Sequence, residues 1–465
     1  MMFSIAQIAA MTGGSIVGPG DSGVTGVATD SRSITPGQLF VPLVGPRFDG
    51  HAYLSKMAAK GVTVVLAAGS WAEGNPLPAG VTTVVVPDTL RALGDLAAGY
   101  RASFTLPVIG ITGSNGKTTT KELLATILEL TGPGLKSSGN LNNLIGLPQM
   151  LFRLLPSHRW AVLEMGMSEP GEIDRLAEIA RPSLGIVTNA FQAHLESMGS
   201  IENVARAKGE LFLRLPPGGT ALYNADDPLV ARLPGASGVL RRSFGLVSGE
   251  VTASDVTSHG LDGMSFTLHL AQEQLRVRFH ACGRHLLANA LAAAAAAESL
   301  GVGGVTIREG LERFQPADRR FAMERIGKMT LIDDSYNANP ASMEAALTTL
   351  PEIHGSGRII AALGDMLELG PETEALHRRL GEQAGRIVQR LYLRGAMAPA
   401  VAEGARRAGL PASAIVIASE HDAIASAILH DAKTDDLLLV KGSRGAGMDR
   451  VAALIRDHSL LSKEA

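Results

Sequence analysis

Gly113-Ser114-Asn115-Gly116-Lys117-Thr118-Thr119 contains the residue types that grip a phosphate chain. Glycines let backbone N–H groups crowd toward phosphate oxygens, and a helix opening directly after the turn adds partial positive charge. Lys117 would bridge the terminal phosphates of ATP, and the Thr118 hydroxyl would hold Mg²⁺. The common spacing G-x-x-x-x-G-K-[ST] puts a glycine where this chain has Ile111, so the working core is a shorter variant. The Gly-Lys-Thr order after an apolar strand argues against an ordinary tight turn.

Other chemistry-bearing residues sit at the ends of apolar runs. Glu164 closes Ala161-Val162-Leu163, and a carboxylate at the tip of a neighbouring strand suits Mg²⁺ beside phosphates. His194 follows the run ending at Thr188; a loop histidine alone is more often structural than a ligand. Lys208, in Ala205-Arg206-Ala207-Lys208-Gly209-Glu210, reads by itself as a surface lysine on a helix. Asp333-Asp334-Ser335-Tyr336-Asn337-Ala338-Asn339-Pro340 follows Thr330-Leu331-Ile332, where open α/β sheets bind ligands. A turn accounts for Asn339-Pro340 but poorly for two aspartates directly after an apolar strand. Gly364-Asp365-Met366-Leu367-Glu368-Leu369-Gly370 and Lys441-Gly442-Ser443-Arg444 have the same placement, and the latter is cationic, suiting a carboxylate or phosphate.

Elements that could position these residues are visible along the chain. Up to about residue 105, the runs Leu39 to Leu43, Val62 to Leu66 and Thr83 to Val86 predict strands, with a helix over Ala52 to Lys60. Ser4 and Gln7 form a capping box for a first short helix. From 106 to 315, buried strands at Leu106 to Thr112, Trp160 to Glu164 and Leu184 to Thr188 alternate with helices, which predicts a parallel sheet covered on both faces. Period-two alternation from Val251 to His280 predicts an antiparallel insert, followed by an alanine-rich helix over His285 to Leu300. From 316 to 465, strands at Thr330 to Ile332, Arg358 to Leu363, Ala414 to Ile417 and Leu437 to Val440 predict a second doubly wound unit. The fold class is α/β in three domains: a small N-terminal unit, a central P-loop sheet with an antiparallel insert, and a Rossmann-like C-terminal unit.

Bulk properties bound the function. Hydrophobic residues make up 46% of the 465, enough for sizeable cores and against disorder. A net charge of -3 without a basic run argues against nucleic acid as partner. No apolar run approaches the ~18 residues of a membrane span, and the first residues lack a leader pattern. The one cysteine, Cys282, forms no internal disulfide and has no nucleophile motif around it, so a reducing, cytoplasmic setting and a monomer are the expectation.

In this order, the clusters resemble the Mur ligase superfamily of peptidoglycan synthesis over essentially the whole chain. The resemblance includes Asp30-Ser31-Arg32, Pro36-Gly37 and Asp49-Gly50-His51, then the phosphate loop and Gly139-Asn140-Leu141-Asn142-Asn143. It continues through Ala193-His194-Leu195-Glu196, Lys208-Gly209-Glu210, Asp333 to Asn339, Gly364 to Gly370 and Lys441 to Arg444. Gly139 to Asn143 and Asp333 to Pro340 are similar to the branch that adds D-alanyl-D-alanine to UDP-N-acetylmuramoyl-tripeptide.

The resemblance implies a UDP-sugar-binding N-terminal domain, a central ATPase and a C-terminal domain that brings the dipeptide. It implies that Gly113 to Thr119, Asn289, Arg320, Asp334 and Asn337 bind ATP. Thr118 and Glu164 would hold one Mg²⁺, with His194 and Lys208 at a second. Lys208 would be carbamylated, because an ammonium cannot ligate Mg²⁺ whereas a carbamate oxygen anion can. Lys117, His194 and Lys208 would be catalytic. Ser31, Arg32, Asp49, Asn140, Asn142, Asn143, Ser443 and Arg444 would bind the other substrates.

Two departures stand out. The family reads Gly-Arg-His-Asn where this chain has Gly283-Arg284-His285-Leu286, and Leu286 offers adenine no amide hydrogen bond. The family often has Gly-Arg-Leu where this chain has Arg319-Arg320-Phe321. The implied reaction runs through an acyl phosphate. A sister ligase adding one amino acid, a folylpolyglutamate synthase, a phosphate-loop kinase or ATPase, and a non-catalytic nucleotide-binding module are the alternatives at this point.

Overall fold

The computed structural model describes residues 1–20, 23–192 and 195–461, with side chains through 458. The chain builds three main sheets of five or six strands, and one buried apolar cluster runs from the central sheet into the third. The first has the strand order Ser15–Val17, Thr82–Val86, Val64–Ala68, Gln38–Phe40, Gly26–Ala28, parallel except at the first pair. The expected strands are present, with ends shifted by one to three residues: the run Leu39 to Leu43 keeps strand only at Gln38–Phe40. The expected helix over Ala52 to Lys60 divides into a 3-10 turn at Gly50–Tyr53 and a helix at Leu54–Ala59. The expected capping box forms as well: the Ser4 hydroxyl accepts the Gln7 N–H, and Gln7 Oε1 accepts the Ser4 N–H.

The central sheet is all parallel, in the order Leu135–Lys136, Ala161–Glu164, Val108–Thr112, Leu184–Val187, Thr220–Asn224, Leu240–Phe244. The chain leaves Val108–Thr112 toward one side of the sheet and later crosses to the other. That reversal opens a crevice at the carboxyl ends of the strands, where such sheets take ligands. Register sets the partners at the rim: Ile111 lies opposite Glu164, and Thr112 opposite Val187. The alanine-rich helix Arg284–Ser299 packs on helix Lys117–Glu129. Its run Ala292 to Ala297 is buried, and such small side chains let helix backbones approach closely. The insert forms as an antiparallel sheet of Thr252–Ser258, Met264–His269 and Gln274–Phe279.

The third sheet runs Ala322–Ile326, Met329–Asp334, Leu437–Lys441, Ile359–Gly364, Arg390–Arg394, Ile415–Ile417, with only the first pair antiparallel. Asp334 and Lys441 are direct partners at the ends of adjacent strands. Among the described residues, no helix is long and apolar enough to cross a membrane. Cys282 is buried, its Sγ donates to the Gly260 carbonyl at 3.1 Å, and burial pushes the thiol up to about 11. A thiol so placed carries little thiolate at neutral pH.

Candidate active site

The loop at 113–118 takes its shape from positions only glycine fills easily. Gly113 has φ +152° and Gly116 φ +85°, and a Cβ on Gly116 would lie 2.3 Å from Asn289 Oδ1. The segment after the neighbouring strand clamps the loop. Ser114 N–H donates to the Asn189 carbonyl at 3.0 Å, Asn115 N–H to Asn189 Oδ1 at 2.8 Å, and Thr188 Oγ1 to the Asn115 carbonyl at 2.6 Å. No side chain caps the helix that starts at Lys117, so its first turn is free to meet an anion.

Lys117 folds back, donating to the Gly113 carbonyl at 2.6 Å. Burial is the main reason its ammonium is held down to about 8; Glu164 opposes this shift and Arg320 reinforces it. Phosphate beside Lys117 favours the charged form. The expected result is therefore proton uptake when ATP binds above pH 8, and none at pH 6.5. Titration calorimetry in buffers of different ionisation enthalpy reads this directly.

Glu164 is 2% exposed, with Oε2 accepting from Thr118 Oγ1 at 3.2 Å. Its Oε1 is buried and has no hydrogen-bond donor, only the Lys121 ammonium at 3.2 Å in an ion pair. A hydroxyl beside a partly unsatisfied carboxylate, next to a phosphate loop, fits Mg²⁺, which binds through few protein oxygens plus substrate phosphates. Among the described residues no three His, Cys, Asp or Glu cluster as a self-contained metal site.

Lys208 corrects the surface reading. It lies on helix Ile201–Leu213 and is 2% exposed, without a hydrogen-bond or ion-pair partner among the described residues. Burial first, and Lys117 second, push its ammonium well below the ordinary lysine range. Its sequence neighbour Glu210 has another task, accepting the Gly171 and Asp174 N–H groups at 2.9 Å each. His194 lies outside the described residues.

The C-terminal unit faces the loop across a cavity of about 950 Å³. Arg320 Nη2 donates to Thr118 Oγ1 at 3.1 Å, and its guanidinium lies 3.8 Å from the Tyr336 ring centroid. Arg319 and Phe321, on either side, have φ of +58° and +56°. Glycine bears that conformation without a Cβ penalty, so Arg319 and Phe321, the two positions that differ from the family text Gly-Arg-Leu, both stand in backbone that disfavours a side chain. Asp334 Oδ1 accepts the Phe321 N–H at 3.1 Å, and its Oδ2 takes Lys441 Nζ at 2.6 Å. Asn339 caps helix Pro340–Ile353 and exchanges two amide hydrogen bonds with Asn115, at 3.1 and 2.8 Å.

The cavity gathers Ser114 to Thr119, Asn140, Asn142, Asn143, Glu164, Lys208, Asn289, Arg320, Asp334, Asn337 and Arg444. Some expected residues are not at its wall. Gly113 supplies a carbonyl to Lys117 behind it. Ser443 is buried, donating to the Ala338 carbonyl at 3.0 Å and accepting the Leu367 N–H at 3.0 Å, so it ties loops together. Ser31, Arg32 and Asp49 stay on the N-terminal unit: Arg32 pairs with Asp30 at 2.8 Å, and Asp49 accepts the His51 N–H at 2.9 Å. Asn143 lines the wall but spends Oδ1 on the Ile145 and Gly146 N–H groups. Leu286 is buried at the cavity wall and presents an apolar side chain there, between His285 and Asn289.

Residues missed by sequence reasoning include Lys121, Asn339 as a cross-cleft partner, and Lys441 as the counter-ion of Asp334. Lys121 had a signal: it stands three residues after Thr118 and so shares its helix face.

Family models match in sequence: Mur ligase family, catalytic domain at 23–101; Mur ligase middle domain at 111–297; and Mur ligase, glutamate ligase domain at 319–444. The chain is 37% identical to the UDP-N-acetylmuramoyl-tripeptide--D-alanyl-D-alanine ligase of Escherichia coli (strain K12), covering 98% of each. It resembles the crystal structure of MurF from Acinetobacter baumannii, with TM-score 0.89 and 32% identity over 98% of this chain and 99% of that one. It also resembles MurF ligase from Thermotoga maritima in complex with ADP, with TM-score 0.83 and 25% identity over 94% of this chain and 98% of that one.

Proposed function

The chain belongs to the Mur ligase family, and from that premise we propose that it joins D-alanyl-D-alanine to UDP-N-acetylmuramoyl-tripeptide, using ATP, in peptidoglycan synthesis. One observation carries the reading: the phosphate loop and the Asp334–Asn337 segment face each other across one cavity, bridged by Arg320 to Thr118.

The tripeptide carboxylate attacks the γ-phosphorus, forming an acyl phosphate and releasing ADP. The dipeptide amine then attacks the acyl carbon, and inorganic phosphate leaves with the carboxylate oxygen. A free carboxylate would have to expel oxide, whereas phosphorylation makes the leaving group good. The protein aligns the partners and neutralises charge. Lys117 swings from the Gly113 carbonyl to the β- and γ-phosphates. Arg320 meets the same oxygens from the opposite wall, and Asn289, Asp334 and Asn337 hold the nucleoside. Thr118 and Glu164 would hold Mg²⁺, which supplies further charge neutralisation when bound. The Lys208 amine, without a partner among the described residues, is suited to capture CO₂ as a carbamate, releasing a proton; with His194 it would give oxygen and nitrogen ligands for a second Mg²⁺.

We assign the UDP-sugar to residues 1–105, with Ser31, Arg32 and Asp49, and to Asn140, Asn142 and Asn143 at the cleft. ATP belongs to 106–315, and the dipeptide to 316–465 with Arg444. The substrates are small molecules, with no nucleic-acid or membrane partner, acted on by a monomer in the cytoplasm where ATP and UDP-sugars are made. Hydroxylamine supplied in place of D-alanyl-D-alanine should yield the tripeptide hydroxamate together with ADP. ADP release without hydroxamate would contradict the acyl phosphate.

A further inference from the structure

Lys121 is a charged side chain that substrate does not touch. It is 2% exposed and lies beneath the cavity wall rather than on it. Burying an ammonium is costly unless it is closely paired, so its partners indicate its task. Nζ donates to the Ser137 carbonyl at 2.7 Å and pairs with Glu122 Oε1 at 2.8 Å and Glu164 Oε1 at 3.2 Å. Ser137 Oγ accepts the Glu164 N–H at 3.0 Å. A closed ring results, from Lys121 to Glu164, back through Ser137 to Lys121. Glu122 has a second cation, Lys136, at 2.9 Å, so its charge is met without Lys121.

Thr118 and Lys121 stand one turn apart on one helix face. Thr118 takes Glu164 Oε2 at 3.2 Å and Lys121 faces Oε1 at 3.2 Å. One helical turn therefore grips both oxygens of a single carboxylate. We propose that Lys121 is a positioning residue, holding Oε1 below the wall so that Oε2 stays turned to Thr118, where a divalent cation and the nucleotide phosphates meet. The inference rests on Glu164 being a ligand of that cation. Groups that orient metal ligands from behind typically change metal affinity or activity by about 10- to 100-fold when removed.

The test uses the full-length enzyme with ADP, reading Mn²⁺ affinity by electron paramagnetic resonance, the Mg²⁺ concentration that half-activates ligation, and the melting midpoint. Lys121→Met should weaken Mn²⁺ binding and raise the Mg²⁺ requirement by about 10- to 100-fold, with the KM for UDP-tripeptide unchanged. Lys121→Arg, which keeps the charge, should recover part of that loss. A folded Lys121→Met enzyme with wild-type Mn²⁺ affinity overturns the proposal, as does a fall in kcat with metal affinity intact. If Lys121→Met fails to fold, Lys121→Arg decides: weakened Mn²⁺ binding supports the role and wild-type binding overturns it. Glu164→Gln separates the two levels. If it leaves Mn²⁺ affinity unchanged, the reading of Glu164 fails; if it weakens Mn²⁺ binding and the Lys121 variants do not, only the positioning role fails.

Discussion

Lys117→Met should lower kcat by about 10²- to 10³-fold, the scale of losing one preorganised donor to developing charge, while the protein melts at or above the wild-type temperature. Methionine keeps the length of the side chain and removes only the ammonium. In the free protein that ammonium has carbonyl partners and no phosphate, and burial holds it down to about 8. A lysine lowered in the fold costs stability in full below pH 8. The cost fades as pH rises toward the ordinary value of 10.5, because the unfolded chain binds the extra proton across that window. The stability advantage of Lys117→Met should therefore be largest at neutral pH and disappear above the window. Paired melting curves and steady-state rates check both halves. Lower activity together with lower stability would mean that Lys117 is a structural residue.

Lys208→Met should bring a comparable loss of turnover, about 10²-fold or more by the same reasoning, again without loss of stability. Lys208 is buried without a partner among the described residues, and burial first, then the Lys117 charge, push its ammonium well below the ordinary lysine range. Such a group costs the fold something and returns nothing unless chemistry uses it, the pattern expected at functional sites. Wild-type enzyme in ¹³C-bicarbonate should show a carbamate carbon resonance that is absent from Lys208→Met. A wild-type enzyme without that resonance, with Lys208→Met fully active, would remove Lys208 from the site.

The fold was legible wherever burial leaves a simple pattern. Val108–Thr112, Leu184–Val187 and Leu437–Lys441 are continuous apolar runs because both faces of their sheets are covered. Leu240–Phe244 is an edge strand with two exposed or half-exposed arginines, so its text resembles a loop. In the site, the phosphate loop and the strand-end carboxylates were legible because their positions follow from the strand that precedes each. Contacts across the cleft were not. Asn339-Pro340 reads as a turn, and nothing local reveals that Asn339 meets Asn115, 224 residues away in sequence. Lys208 has Val204, Ala205, Leu211 and Phe212 at helical spacing, and Lys121 has Leu124, Ala125 and Leu128, so both lysines stand on apolar, buried faces that the reading of Lys208 as a surface residue passed over.

The reaction path is tested most directly by the fate of the tripeptide's carboxylate oxygens. With UDP-N-acetylmuramoyl-tripeptide labelled with ¹⁸O in its terminal carboxylate, and with ATP and D-alanyl-D-alanine present, each turnover should place one ¹⁸O in the inorganic phosphate. Mass spectrometry of the phosphate reads this alongside the new amide product. Unlabelled phosphate would mean that water, and not the peptide carboxylate, attacks ATP, and would contradict the account.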